Sequence, residues 1–142
     1  MEKIFGYVRE STMQQAMFGY NIEEQKRVIE EYCKYHYKDY ELEMFIEKGK
    51  SATTLNRPEL RSLLNTVKKS KANRVVFHSL DRLTRDIRDL YTLIEFFDKN
   101  NIEIVSVMES LTLRPSKSSS RHLTERYSNW EFGLNNVYGS QV

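Results

Sequence analysis

Arginines, one aspartate and one serine follow three hydrophobic segments of the sequence, at or beyond the places where those segments end. The first segment runs into Arg9-Glu10-Ser11, and the third runs into the letters SLDRLTR. The second leads through a polar loop to another arginine. If the segments are parallel strands, their carboxyl ends meet at one edge of the sheet, where such sheets bind ligands. The candidate site residues are Arg9, Ser11, Arg57, Asp81, Arg82 and Arg85.

A serine surrounded by arginines suggests chemistry at a phosphate group. The planar guanidinium binds phosphate oxygens in bidentate fashion and stays charged at any physiological pH. When a serine oxygen attacks phosphorus, negative charge builds on the non-bridging oxygens, and fixed arginines stabilise that charge. With enough such cations, no metal ion is required in principle.

Each of these residues taken alone has a plainer explanation. An arginine after a strand is more often a surface charge, and a lone serine is more often a loop or cap hydroxyl. Gln25 lies near the apolar face of its helix. An equally good explanation for it is a boundary residue whose side-chain amide lies in water. Only the joint position of the arginines and the serine favours a site.

The spacing of hydrophobic residues predicts four strands separated by three helices. The strands cover residues 3–8, 41–47, 74–77 and 102–107, and the helices begin after Asn21, after Asn56 and at about Thr84. Pro58 lies in the first turn of the second helix, and the third helix ends near Lys99. This order predicts an α/β fold with a mostly parallel sheet of four to five strands and helices on both faces.

The geometry of a strand separates the residues of the first segment. Side chains alternate along a strand, so Arg9 and Ser11 should project to one side of the sheet and Glu10 to the other. Arg82 and Arg85 are three residues apart, so they share a face if the third helix has already begun there.

The sequence changes character after Glu109, where it becomes polar, contains three serines in a row and lacks a clean period. We therefore expect one folded domain over residues 1–112. Residues 113–142 should form a poorly ordered or weakly helical tail.

Composition limits the class of protein. The 142 residues suit one domain, and 39% hydrophobic with 30% charged residues is typical of a soluble globular chain. The longest apolar run is too short to cross a bilayer, and no secretory leader precedes the first strand. The single Cys33 cannot form an internal disulfide, which favours a reducing cytoplasm. A net charge of +2 neither supports nor excludes a nucleic-acid partner.

Other kinds of site fit the sequence less well. The letters EKGKS resemble the end of a phosphate-binding P-loop, but Met44 stands where that motif needs glycine. The cysteine and histidines lack metal-ligand spacing. A serine hydrolase would need a G-x-S-x-G turn, which is missing, and only His78 is in a suitable layer. A phospho-receiver domain would need acidic strand ends, and a flavodoxin-like nucleotide binder would need a glycine loop.

Four stretches together resemble the catalytic domain of serine site-specific recombinases, the resolvase and invertase family. They are YVREST, GYNIEEQ, GKSATTLNRPEL and SLDRLTRDIRDL, and their spacing is most like that of the large phage-integrase and transposon branch. The resemblance covers residues 3–109 and identifies residues 1–112 as the catalytic domain. It implies a resolvase-like fold with a flavodoxin-like strand order.

The resemblance also implies roles for individual residues. Ser11 would attack a DNA phosphodiester and become linked to the 5′-phosphate, and Asp81 would orient arginines or assist proton transfer at the leaving 3′-oxygen. The residues that would hold the scissile phosphate are Arg9, Arg57, Arg82 and Arg85, and those that would support the site are Gln15, Gln25 and Ser51. The family needs no cofactor or metal, acts on double-stranded DNA and works as dimers that pair into a tetramer.

The C-terminal tail departs from the family pattern. A long amphipathic dimerisation helix with a Glu-Arg pair is expected there, but Gly133 and Leu134 follow Glu131-Phe132 where the pair should stand. Each glycine would cost such a helix ~1 kcal/mol relative to alanine. The tail and the lack of a following DNA-binding module leave an alternative, a truncated and catalytically impaired module that modulates a full-length recombinase. Such a chain could be a monomer.

Overall fold

A five-stranded sheet forms the centre of the part of the chain that the computed structural model describes, which is residues 1–10, 22–48, 57–69 and 72–115. The spatial order is β2-β1-β3-β4-β5, and every pairing is parallel except that of β5 with β4. The strands are β1 (Glu2–Glu10), β2 (Tyr40–Lys48), β3 (Arg74–Phe77), β4 (Glu103–Ser106) and β5 (Leu111–Leu113). The predicted α/β fold with a mostly parallel sheet is confirmed.

Strand β1 lies between β2 and β3 and extends two residues beyond its predicted end at Val8. It pairs with β2 on one side as far as Glu10, opposite Lys48. It pairs with β3 on the other side over a shorter stretch that ends at Tyr7, opposite Phe77. Arg9 and Glu10 therefore belong to the strand, and their pairing with β2 gives both residues a fixed direction.

Helices cover both faces of the sheet, as predicted. They are α1 (Ile22–His36), α2 (Pro58–Lys69), the one-turn α3 (Leu80–Leu83) and α4 (Ile87–Lys99). Helix α1 packs on one face, where Ile29 and Cys33 are fully buried with residues of β1 and β3. Helices α2 and α4 cover the other face through residues such as Leu63 and Phe97. Among the described helices none is long and apolar enough to span a membrane.

The predicted third helix is confirmed as far as Lys99, but its predicted start at about Thr84 is wrong, because the chain is extended at that residue. Helix α3 ends at Leu83, and α4 begins only at Ile87. Asp86 starts α4 by accepting hydrogen bonds from the backbone N–H of Arg88 at 2.8 Å and of Asp89 at 3.2 Å. This helix start is a side-chain cap that competes with any continuation from α3.

The predicted tail begins one residue too early, because its first residue, Leu113, is the last residue of β5. Leu111 pairs with Ser106 and Leu113 with Ile104, and the side chain of Leu113 is buried against the main core. A short hydrophobic segment after a turn is sufficient for this pairing once β4 offers a free edge. The predicted boundary between residues 112 and 113 falls inside this strand. Residues 116–142, with Glu131, Phe132, Gly133 and Leu134, lie outside the described residues.

The end of α4 closes in a left-handed turn at Asn101. Its φ angle is 61°, its N–H donates to the Asp98 carbonyl at 3.1 Å, and the N–H of Ile102 donates to the Phe97 carbonyl at 2.8 Å. These two hydrogen bonds form a Schellman motif, which directs the chain into β4. The predicted turn at Asn100-Asn101 is confirmed.

Replacement of Asn101 by alanine should lower the free energy of unfolding by about 1 kcal/mol, because a side chain other than glycine or asparagine is strained at positive φ. Asn101→Gly should be close to neutral. Urea denaturation of both variants measures the difference. Equal stability of the alanine and glycine variants would contradict the assignment of this strain.

Candidate active site

Arg9 is the second-last residue of β1, and its guanidinium is buried against α3. The residue is 1% exposed. Its Nε donates a hydrogen bond to the Arg82 carbonyl at 3.0 Å, and its Nη2 donates to the Asp81 carbonyl at 3.2 Å. Arg9 therefore joins the carboxyl end of β1 to the backbone of the one-turn helix.

Arg57, which immediately precedes α2, reaches the same helix from another direction. It is completely buried, and its Nη2 donates to the Leu83 carbonyl. Its Nη1 donates to the Tyr7 hydroxyl at 3.1 Å, and its guanidinium carbon lies 5.6 Å from the centre of the Tyr7 ring. The carbonyls of α3 thus hold two arginines that are 48 positions apart in the sequence.

A buried carboxylate lies behind these arginines. Glu47 on β2 is 2% exposed, and it accepts a hydrogen bond from the Tyr7 hydroxyl at 3.2 Å. It also accepts from the backbone N–H of Glu59 at 3.1 Å and of Leu60 at 3.0 Å, which are in the first turn of α2. Glu47 therefore caps α2 and fixes Tyr7, which in turn fixes Arg57.

Gln25 of α1 holds the backbone of Arg9. Its Oε1 accepts from the Arg9 N–H at 3.3 Å, and its Nε2 donates to the Arg9 carbonyl at 2.9 Å. Gln25 is fully buried, so the alternative that its amide lies in water is wrong. Glu10 accepts from the N–H of Ile22 at 3.3 Å, so it is bound to α1, whereas the side chain of Arg9 is bound to α3.

The side chains of Asp81, Arg82 and Arg85 lie around α3. The Asp81 Oδ1 accepts from the Ser79 hydroxyl at 2.7 Å, and its Oδ2 is 3.9 Å from the Arg85 Nη2. Arg82 is 5% exposed, whereas the side chain of Arg85 is 44% exposed. Because Arg85 lies in the connection between α3 and α4, the two arginines do not share one helical face.

The arginines crowd positive charge at this edge of the sheet. Burial first, and then repulsion from Arg57 and Arg82, lowers the pKa of Arg9 to about 10. Arg9 therefore remains charged at neutral pH while its charge is disfavoured by its surroundings. An anion placed among these guanidinium groups would relieve that repulsion.

A cavity of about 170 Å³ lies beside α3 and is lined by His78, Ser79, Asp81, Arg82 and Met108. The His78 Nδ1 is 3.1 Å from the Ser79 hydroxyl oxygen, which itself donates to Asp81. Burial, followed by repulsion from Arg82, lowers the pKa of His78 from its ordinary value, while Asp81 and Glu24 act in the opposite direction.

The structure brings together Arg9, Arg57, Asp81 and Arg82, with Arg85 at the surface and Gln25 as a support. Ser11, Gln15 and Ser51 lie outside the described residues, although Ser11 directly follows the last residue of β1. Within the described part of the chain, no three histidine, cysteine or acidic side chains are grouped so that they could hold a metal ion.

Two residues that organise the site, Tyr7 and Glu47, were missed in the sequence analysis. The signal is visible in hindsight. Tyr7 precedes Arg9 by two positions on the same face of β1, and Glu47 is the register partner of Arg9. Glu47 also shares a face with the buried Phe45, where a carboxylate requires hydrogen-bond partners.

The sequence was compared with known protein families. Residues 4–131 match the family model described as "Resolvase, N terminal domain", which is most of the chain. The chain belongs to the resolvase family. This family assignment confirms the resemblance to serine site-specific recombinases and makes the described fold a resolvase catalytic domain.

Solved structures agree with this resolvase assignment. The N-terminal catalytic domain of TP901-1 integrase is 30% identical, with a TM-score of 0.73 over 96% of this chain and 100% of that one. A resolvase family site-specific recombinase from Streptococcus pneumoniae is 20% identical, with a TM-score of 0.68 over 96% of this chain and 91% of that one. The second likeness supports the resolvase fold alone.

A curated relative from Bacillus phage phi105 matches a shorter part of the resolvase domain. It is named "Uncharacterized immunity region protein 3" and is 39% identical over 61 residues, which cover 43% of this chain and 73% of that protein. The likeness links the sequence to a phage protein.

Tyr7→Phe should destabilise the resolvase domain by about 1–3 kcal/mol, because it leaves the buried Glu47 and Arg57 each without one hydrogen-bond partner. Tyr35→Phe is the matched control, since Tyr35 is 85% exposed, and it should leave the free energy of unfolding unchanged. Urea denaturation of both variants tests this. Similar effects of the two substitutions would show that the Tyr7 hydroxyl contributes nothing.

The lowered pKa of His78 predicts a loss of stability in acid. The unfolded chain binds a proton at this residue more readily than the folded chain does, so the free energy of unfolding falls as the pH drops below about 6.5. His78→Gln should reduce this slope by up to about 1.4 kcal/mol per pH unit.

Urea denaturation at several pH values between 7 and 5 measures that slope. Asn65→Gln serves as the control, because Asn65 is an exposed residue of α2 that carries no titrating group, and it should keep the wild-type slope. An unchanged slope in His78→Gln would contradict the assignment of the acid effect to this residue.

Proposed function

We propose that this chain cleaves and rejoins DNA strands in site-specific recombination, with Ser11 as the nucleophile. The observation that carries the proposal is the attachment of Arg9 and Arg57 to the backbone of α3. Arg9 precedes Ser11 by two positions in the sequence. A resolvase-family domain with this arrangement presents concentrated positive charge at the end of β1, which Ser11 follows in the sequence. That is the arrangement that attack on a phosphodiester requires.

The proposed step exchanges one phosphate ester for another. The Ser11 Oγ forms a bond to phosphorus as the bond between phosphorus and the 3′-oxygen breaks. The serine hydroxyl loses its proton, and the leaving 3′-oxygen gains one. The product is a 5′-phosphoserine linkage, which the 3′-hydroxyl of another strand attacks in the reverse reaction. Because the ester bond conserves the energy for rejoining, the proposal includes no cofactor and no metal.

Burial favours two different roles for the arginines. Arg9 and Arg57 are almost inaccessible to solvent and are bound to α3. We therefore assign them the role of fixed positive charges, whose electric field stabilises negative charge on the phosphate. Arg85 is nearly half exposed, so it is the arginine that DNA can reach without rearrangement. Arg82 is buried but lines the cavity beside α3, so we assign it to contact with a phosphate group that enters that cavity.

The remaining candidates are assigned supporting roles. Asp81 lies within 4 Å of Arg85 and would orient that guanidinium or assist proton transfer at the leaving oxygen. Gln25 would keep the end of β1 in a fixed position. Gln15 and Ser51 are proposed to support the phosphate site. The proposed partners are double-stranded DNA and further copies of the recombinase, paired as dimers and tetramers.

A second candidate is a recombinase-like module that modulates a full-length recombinase without cleaving DNA itself. The specific observation in its favour is the likeness to an immunity region protein of a phage, which matches over 61 residues. The two candidates differ in one product, the covalent bond between the protein and DNA.

That bond can be detected directly. The chain would be fused to a zinc-finger domain and incubated with nicked duplexes in which two finger sites flank a randomised centre. We expect an adduct that survives denaturation and is absent in Ser11→Ala. If the wild-type fusion forms no adduct with any duplex in the pool, the enzymatic proposal fails and the modulator is favoured.

Arg85→Ala should lower the rate constant of adduct formation at saturating DNA about 100-fold, the usual effect of removing one group that stabilises the transition state. Arg88→Ala removes an exposed arginine from the start of α4 and should react like wild type. Single-turnover kinetics of both variants measure the effect. A rate in Arg85→Ala equal to that of Arg88→Ala would remove Arg85 from the site.

A further inference from the structure

The one-turn helix α3 depends on contacts from outside itself. A helix of four residues is too short to be stable alone. Ser79 stands at its N-cap position but makes no side-chain cap, and the Ser79 hydroxyl donates to the Asp81 carboxylate. The first backbone N–H of α3 therefore needs another acceptor.

Glu109 supplies that acceptor from the turn between β4 and β5. The N–H of Leu80 lies 3.2 Å from the Glu109 Oε1 and 3.4 Å from its Oε2. The hydroxyl of Ser106, a completely buried residue, donates to the same carboxylate. Glu109 is therefore held on one side by β4 and holds α3 on the other.

Two backbone hydrogen bonds keep the Glu109 turn beside the segment that leads into α3. The Val107 N–H donates to the Phe77 carbonyl at 3.0 Å, and the Met108 N–H donates to the His78 carbonyl at 2.9 Å. The contact from Leu80 to Glu109 is the next in this series. The turn and the start of α3 therefore form one continuous hydrogen-bonded unit.

The two ends of α3 carry complementary charge. The Glu109 carboxylate lies at its N-terminus, where negative charge is favourable, and the guanidinium groups of Arg9 and Arg57 lie at its last carbonyls, where positive charge is favourable. A shift of α3 would move every carbonyl to which these arginines are bound. The position of the arginines is thus linked to a carboxylate at the opposite end of the helix.

We propose that Glu109 is a positioning residue of the active site, which fixes α3 and through its carbonyls fixes the guanidinium groups of Arg9 and Arg57. Glu109 acts through the helix and contacts no reacting group. Only the predicted effect of Glu109 on the reaction rate rests on the proposed strand cleavage. The structural content of the proposal can be tested without DNA.

The test is hydrogen exchange by NMR at two positions of the intact chain, the Leu80 amide and the Nε–H of Arg9. In Glu109→Ala we expect exchange at both positions to become about 5- to 30-fold faster, the range for losing one helix cap. Glu109→Gln keeps an oxygen acceptor and should stay close to wild type. Glu95→Ala, an exposed change on α4, should have no effect.

The Arg9 position distinguishes positioning from simple helix capping. Faster exchange at Leu80 with a wild-type rate at the Arg9 Nε–H would overturn the proposal, because Glu109 would then act on the helix alone. If Glu109→Ala does not fold, Ser106→Ala replaces it, since this variant keeps the carboxylate but removes the hydroxyl that holds it. A wild-type Arg9 rate in Ser106→Ala would equally overturn the proposal.

Adduct formation then tests the consequence for the reaction. Glu109→Ala should lower the rate constant at saturating DNA while leaving the half-saturating DNA concentration unchanged, and Glu109→Gln should restore most of the rate. A Glu109→Ala rate equal to wild type would overturn the catalytic consequence. Failure of the wild-type chain to form any adduct would count against the proposed function, and the exchange measurement would still decide the role of Glu109.

Discussion

The attachment of two buried arginines to the carbonyls of one short helix is the constraint on which the site depends. A buried cation is costly unless it is hydrogen-bonded. Arg9 and Arg57 are bound to backbone carbonyls and to the Tyr7 hydroxyl, which are neutral oxygens, so these hydrogen bonds do not themselves cancel the positive charge. Positive charge is thereby fixed in a buried position before any anion arrives, which is the preorganisation that phosphoryl chemistry uses.

Three elements around α3 keep this arrangement rigid. Strand β1 carries Arg9 and is held at that residue by Gln25 from α1. Glu47 on β2 caps α2 and fixes Tyr7, so that the position of Arg57 follows from both. The turn after β4 holds the other end of α3. Each contact joins residues that are distant in sequence, so the site can form only when the sheet has been assembled.

The four parallel strands were predictable from the sequence because each is a hydrophobic segment bounded by polar residues, and β3 was predicted to the residue. The short β5 was not placed, since its pairing depends on the edge that β4 offers. The break between α3 and α4 could not be predicted, because the inward-facing residues of α4 continue a helical pattern back to Thr84. Only the cap formed by Asp86 shows where α4 starts. The candidate arginines could be found from their place after strands. Tyr7, Glu47 and Glu109 could not, since their roles depend on partners that only the tertiary structure brings within reach.

The central claim is that these arginines form a binding site for a phosphodiester anion. The direct measurement is thermal unfolding of the wild-type chain, of Arg82→Ala and of Arg88→Ala in dimethyl phosphate and in chloride at equal ionic strength. An anion that binds the folded state raises the melting temperature by mass action. The account predicts that dimethyl phosphate raises the melting temperature of wild type and Arg88→Ala more than that of Arg82→Ala. Equal increases in all three proteins would contradict it.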